Sequence, residues 1–324
     1  MKKTLLLIGM ALLSFGTVHA QEDEGWIPKH VGVGVGLGTN GVSIDASTNI
    51  NKWFGVRAGV NIFPTIKVKT DIDLGIENKT NGVDINQMSR HIDNLNAQID
   101  AWNATHPANR MDRIDKSLLP DGNLPNSLDV EGKLKNTTFH FLVDVYPFGD
   151  KSSFHATVGA YFGPSKVVKV YNREDGFLTP VNQWNQAILT AQQNPTSTLN
   201  TMVVAPNNLQ MIGAELGDYF IAPNPADNGN VEASIKVSGF RPYLGIGFGR
   251  AVPKNRIGCQ FDMGVQFWGT PKVYAPTYNK ATGEYQNEKL SKGNTDGKGG
   301  STIKTISKIS VYPVISFRLV GRIL

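Results

Sequence analysis

From Val31 the chain alternates apolar and non-apolar residues with a period of two, the signature of strands rather than helices. Val31, Val33, Val35 and Leu37 share one face, and Gly32, Gly34, Gly36 and Gly38 the other. Thr39-Asn40-Gly41 is a hairpin signal. Beyond it Val42, Ile44, Ala46, Thr48 and Ile50 oppose Ser43, Asp45, Ser47 and Asn49. A third run sets Phe54, Val56, Ala58, Val60 and Ile62 against Gly55, Arg57, Gly59 and Asn61. The pattern resumes at Phe139, Phe141, Val143 and Val145, again at Phe154, Ala156, Val158, Ala160 and Phe162, then along Leu244–Phe248 and Ile257–Phe267. It closes with Ile309, Val311, Ile315, Phe317, Leu319 and Ile323 against Ser310, Tyr312, Ser316, Arg318 and Arg322. Eight strands are predicted.

An antiparallel sandwich also alternates, so the second face and the connections decide. Glycine, polar and charged residues fill that second face. The connections after the second, fourth and sixth strands are short, whereas insertions of about 70–135, 172–232 and 271–304 follow the third, fifth and seventh, far beyond ordinary connection lengths. Short turns at one rim and long loops at the other predict an all-β fold: an eight-stranded antiparallel transmembrane β-barrel, with long extracellular loops and both termini periplasmic. Its apolar face meets lipid. Its glycine-rich face makes room in a narrow lumen for the larger inward residues of neighbouring strands.

Composition narrows the reading further. Residues 1–20 carry Lys2 and Lys3, an apolar run from Leu5 to Phe15 and Val18-His19-Ala20, so they read as a secretory signal peptide and residues 21–324 as the barrel domain. No cysteine near the cleavage point offers a site for lipid attachment, and Cys259 alone rules out an internal disulfide framework. No later stretch approaches the about eighteen apolar residues a membrane helix needs. The net charge of +5 falls to about +3 without the leader's two lysines, which gives no reason to expect nucleic acid as a partner.

The stretches "VGVGVGLGTNGVSIDAS", "WFGVRAGVNIFP", "RPYLGIGFGRAVP" and "YPVISFRLVGRIL" resemble the outer-membrane β-barrel proteins of Bacteroidetes, of the porin-superfamily, OmpA/OmpX/OmpW-like kind. The resemblance covers the barrel, about half of the chain after the leader, and implies the same fold in the cell outer membrane; it carries no functional residues over. Such barrels usually end in an outward aromatic residue read by the assembly machinery, whereas this chain ends in Leu324, one place out of the phase set by Phe317 and Ile323.

The inward charges are the candidate chemistry. Across the turn at Asn51-Lys52, Asp45 is expected opposite Arg57; Asp144 is expected to face His155; Asp262, Arg318 and Arg322 join the same inward set. One reading is a salt-bridged plug that fills the lumen. The other is a charged filter for small ions, or a proton-sensitive gate at His140 and His155. The histidines form no constellation with acids or a serine at the outer rim, and phosphate-loop, HExxH and cysteine-histidine metal motifs are absent, so neither an enzyme, a metal nor a cofactor is expected.

Two insertions carry helical periodicity. Asp84 and Gln87 form a box-like start to a stripe of Ile85, Met88, Ile92, Leu95, Ile99 and Trp102; Thr179-Pro180 starts another with Val181, Trp184, Ile188 and Ala191 on one face. The two short amphipathic helices either pack on each other as a lid, or leave Trp102 and Trp184 exposed for a host or envelope partner. The glycine-rich basic stretch 289–302 reads as a mobile loop. The expected partners are thus outer-membrane lipid, the barrel-assembly machinery during biogenesis, and any ligand of the loops. The expected role is an envelope structural or surface-interaction protein with a filled lumen; the competing one is a narrow porin-like channel or a port for small hydrophobic compounds.

Overall fold

A computed structural model describes residues 30–73, 88–119, 127–216, 218–227, 229–279, 282–291 and 297–323. The expected leader, the capping box at Asp84 and Gln87, and Leu324 lie outside them. Eight strands close into a barrel: β1 (Val31–Gly38), β2 (Gly41–Asn49), β3 (Phe54–Ile62), β6 (Thr138–Val145), β7 (Phe154–Phe162), β12 (Phe240–Phe248), β13 (Ile257–Phe267) and β16 (Val311–Arg322). β1 pairs antiparallel with both β2 and β16, which closes the ring without an edge. The expected apolar face points outward: Leu37, Ile44, Phe141, Leu244, Ile246, Met263 and Phe317 are all exposed. An apolar belt of this extent does not face water in a soluble protein. It is the lipid-facing wall of an outer-membrane barrel.

Aromatic rings bound that belt. Phe162 contacts Phe139 and Phe240 at the long-loop end, with centroids 6.3 and 5.4 Å apart. Phe154 contacts Phe148 and Phe248 at the short-turn end. Phe240 and Phe248 mark the two ends of β12, about 26 Å apart along the strand.

The insertions depart from the expectation of loops with helices. They hold a second sheet, ordered β4 (Ile66–Asp73), β5 (Ser127–Leu134), β8 (Lys166–Asn172), β11 (Glu232–Lys236), β14 (Lys272–Asn279), β10 (Tyr219–Ile221) and β9 (Ala214–Leu216), with β15 (Glu284–Leu290) on β14. Its first five strands follow the order of β3, β6, β7, β12 and β13, so this sheet is the barrel wall continued upward past a joint. Pro64, Pro164 and Pro271 stand at the joint, where a missing N–H interrupts the ladder. Backbone bonds still cross it: Lys135 donates to Val167, Val237 to Ser165 and Ser238 to Trp268.

Helices α1 (Met88–Thr105) and α2 (Thr179–Gln193) cover one face of the second sheet. Ile92, Leu95 and Ile99 of α1 join Val181, Trp184, Ile188 and Ala191 of α2, a π-helical turn at Leu199–Val204, and Leu128 and Val130 of β5 in one core. The N-cap of α2 is Leu178, one residue before the expected threonine. The stretch expected to be a mobile loop contributes to β15 and, from Gly297 to Lys308, to helix α3, whose Ile303 is buried against Tyr219, Ala275 and Leu290. Among the described residues no helix is long and apolar enough to cross a membrane, which says nothing about strands.

Candidate functional site: a charged network in the barrel lumen

The inward faces of the barrel strands converge on one connected polar cluster. Arg57 on β3 donates from both terminal nitrogens to the Asp262 carboxylate on β13, each at 3.0 Å, and from Nη2 to Asp144 Oδ1 on β6 at 2.7 Å. Thr157 on β7 donates to the same Asp144 oxygen at 2.7 Å, and His155 Nε2 lies 2.9 Å from Asp262 Oδ1. Gln260 donates to Asp144 Oδ2 and accepts from Arg318 Nη1 at 2.9 Å. Arg318 on β16 in turn holds Asp45 on β2 through two nitrogens and bonds Ser47 Oγ. Every member is buried. A charge taken out of water this thoroughly is tolerated only when paired and hydrogen-bonded.

The glycines of β1 make the Arg318–Asp45 pair possible. β1 lies between β16 and β2, with Gly34 beside Asp45 and Gly36 beside Arg318. A Cβ on Gly34 would run into the Arg318 guanidinium. The bare face of β1 is therefore the floor over which Arg318 reaches its carboxylate.

Both expected pairs are corrected. In the β2–β3 register Asp45 sits opposite Gly59 and Arg57 opposite Ser47; Asp144 sits opposite Thr157, with His155 two places along β7. The turn residues set the register two places from the assumed one, and in a narrow barrel long side chains reach partners across the lumen instead. Arg322 is no part of the network. It lies beyond Val320, the last fully buried inward position of β16, where the rim opens to water, and donates to the Lys254 carbonyl at 2.8 Å.

The two ends of the lumen are closed by residues that strand alternation does not single out. The β12–β13 connection folds under the barrel, burying Ala251, Val252 and Pro253; the Ala251 N–H donates to the Tyr146 hydroxyl at 2.7 Å and its carbonyl accepts from Ser47 and Arg318. Its apolar "AVP" was the available signal, since a solvated turn has no use for it. Above the charges lie Leu142, Tyr161, Tyr243 and Val314. At the joint, fully buried Arg241 donates to the Ser238 and Pro164 carbonyls and to Asn136 Oδ1, at 2.7 to 2.8 Å, and lies over the Trp268 ring. A void of about 30 Å³ remains beside Arg57, His140 and Arg318, room for little more than a water or two.

Asp144, His155 and Asp262 place ligand atoms within 4.8 Å of one another, spacing that suits a metal ion. Arg57 already donates to both carboxylates, so a divalent cation entering there would have to displace a guanidinium. His140 contacts Asn61 at 2.9 Å.

The tryptophans proposed as a loop surface part company. Trp184 is 2 % exposed in the α1–α2 core, its indole N–H donating to the Gln210 carbonyl at 2.9 Å, which corrects the expectation of a docking residue. Trp102 is half-buried, stacked on His106 with centroids 3.8 Å apart and bonded to the Asn109 carbonyl. His106 thus serves a ring stack at the end of α1.

No protein-family model matches the chain, and no curated protein matches it significantly. Among solved structures it is similar to CarO2 of Acinetobacter baumannii, at 13% identity and a TM-score of 0.40 over 91% of this chain and 99% of that one. CarO of the same organism gives 12% and 0.37 over 92% and 99%. A major outer membrane protein of Thermus thermophilus gives 12% and 0.31 over 90% and 98%. Likeness at this level assigns no activity to the chain.

Proposed function

We propose that this protein is an outer-membrane anchor, an envelope structural or surface-interaction protein whose lumen is closed and whose specificity resides in the layer above the membrane. The network from Arg57 through Asp144, Asp262, His155 and Gln260 to Arg318 and Asp45 carries this reading, because it spans the cross-section with buried, mutually paired charges. The folded-under Ala251–Pro253 turn and the Arg241 joint supply closure at the two ends. The resemblance of the strand sequences to OmpA/OmpX/OmpW-like barrels of Bacteroidetes supports the same reading at the level of the barrel.

The role is non-catalytic in this account. His91 near the start of α1 and His106 just past its end are about 22 Å apart along the helix, and the lumen histidines lie among buried partners. The layer above the membrane would meet any host or envelope partner, and the barrel-assembly machinery would insert the chain.

A second reading, a narrow porin-like channel or a port for small hydrophobic compounds, draws on the void beside Arg57 and Arg318. Swelling of proteoliposomes in small sugars and amino acids separates the two. The anchor leaves the rate at that of protein-free vesicles; a rate that grows with the amount of folded barrel would make it a channel.

A further inference from the structure

We infer that the layer above the membrane holds a partly open binding cavity for a small uncharged hydrophobic molecule, between the second sheet and the N-terminal end of α2. The inference is independent of whether the lumen conducts. Val130, Val170, Ala233 and Ala275 from four neighbouring strands form its floor, and Val181 and Ile221 help to close it. Its volume is about 240 Å³. Protein interiors ordinarily leave few voids larger than a water molecule. An engineered apolar cavity of about 150 Å³ stays dry and takes up benzene.

The cavity separates two well-packed regions. On one side is the α1–α2 core with Leu128, Val130 and Val181; on the other is the cluster of Tyr219, Ala275, Leu290 and Ile303. The apolar side chains between them, Val170, Ile221, Ala233 and Val273, remain partly exposed although they lie in the interior of the layer. The space is left by small residues at sheet positions, Ala233 and Ala275, where larger apolar side chains would fill it.

The lining fixes the class of occupant. Among the described residues no charged side chain borders the cavity. Its two polar side chains are committed elsewhere: the Tyr171 hydroxyl donates to Glu131 at 2.5 Å, and Asn172 bonds Glu174, Asn230 and the Val231 N–H. An ion or a sugar would lose its hydration and gain no partner there, whereas a hydrocarbon group loses nothing. Val273 lies past Phe267, the last residue of β13 in the apolar belt, and past the Trp268–Pro271 joint, in the layer above that belt. That height selects a molecule arriving from the aqueous side over the acyl chain of a bilayer lipid. The occupant is therefore a free monoaromatic or short aliphatic compound.

The test is fluorine NMR of trifluoromethylbenzene added to the refolded barrel in lipid nanodiscs, against empty nanodiscs. The wild type should give a saturable protein-bound resonance besides the lipid-partitioned one. Ala233→Phe, which fills the cavity, should weaken binding at least tenfold, and lipid-facing Leu244→Phe should leave it unchanged. If Ala233→Phe disturbs the layer, as judged by amide exchange of β8 and β11, the milder Ala275→Leu carries the comparison. Non-saturable partitioning alone, or a bound signal retained by the folded filling variants, or its displacement by excess lipid, would overturn the inference.

Discussion

Arg57 is the residue on which most of the lumen depends, because it forms ion pairs with both Asp144 and Asp262. Removing one partner of a buried ion pair leaves the others desolvated and unpaired, a cost of about 3–5 kcal/mol. Arg57→Met should therefore lower the urea midpoint of the vesicle-embedded barrel by that equivalent. Adding Asp144→Asn and Asp262→Asn should recover part of the loss, since neutral groups no longer demand a counter-charge; no recovery would mean that the arginine contributes packing alone. At this scale alternation in the sequence is enough to say which residues point inward. It does not yield partners, because Arg57 crosses the lumen from β3 to β13, and Arg318 passes over the glycines of β1 to reach Asp45. Those contacts depend on closure and on side-chain length, which a strand-by-strand reading does not contain.

Among the elements, the upper layer divides into a sheet with a charged outer face and a helical core on the other side. Trp184→Ala removes the largest fully buried side chain of that core, a loss of about 3–5 kcal/mol. Amide exchange in α1 and α2 should accelerate while the heat-modifiable gel migration of the barrel stays intact; a lost shift would show that the two layers fold as one unit. On the opposite face Glu232 accepts from Lys166 at 2.7 Å and Lys169 at 3.1 Å. Its partial burial pushes its pKa up, and the two lysines more than offset this, leaving it below the ordinary carboxylate value. The stabilisation is then complete above the unfolded glutamate value of about 4.3 and is lost as the pH falls through the lowered folded one. Acidification from pH 6 to 3 should loosen β8 and β11 in amide exchange more in the wild type than in Glu232→Gln; equal loosening would remove the pair from the account.

The strands of this layer were legible in principle. Ile66-Lys67-Val68-Lys69 and Lys166–Tyr171 alternate or nearly alternate in the manner of a half-buried sheet. They read as loop because attention to barrel strands treats everything between them as connection. The helices were legible through their stripe of apolar residues, whereas the burial of Trp184 was not, since an apolar stripe is the same whether it faces a core or a partner.

For the whole molecule, the uninterrupted barrel and its lipid-facing belt follow from period-two patterning and from the contrast of short turns with long insertions. The continuation of five barrel strands into an upper sheet follows from neither, because it rests on register carried across proline-interrupted joints. The central claim is that the barrel is closed by its own side chains, and single-channel recording of the refolded chain in a planar bilayer tests it most directly. A barrel proven folded by its gel shift should give no discrete conductance steps in the wild type. Reproducible steps from the wild-type barrel, altered in size by Arg57→Met or Arg318→Ala, would contradict the account.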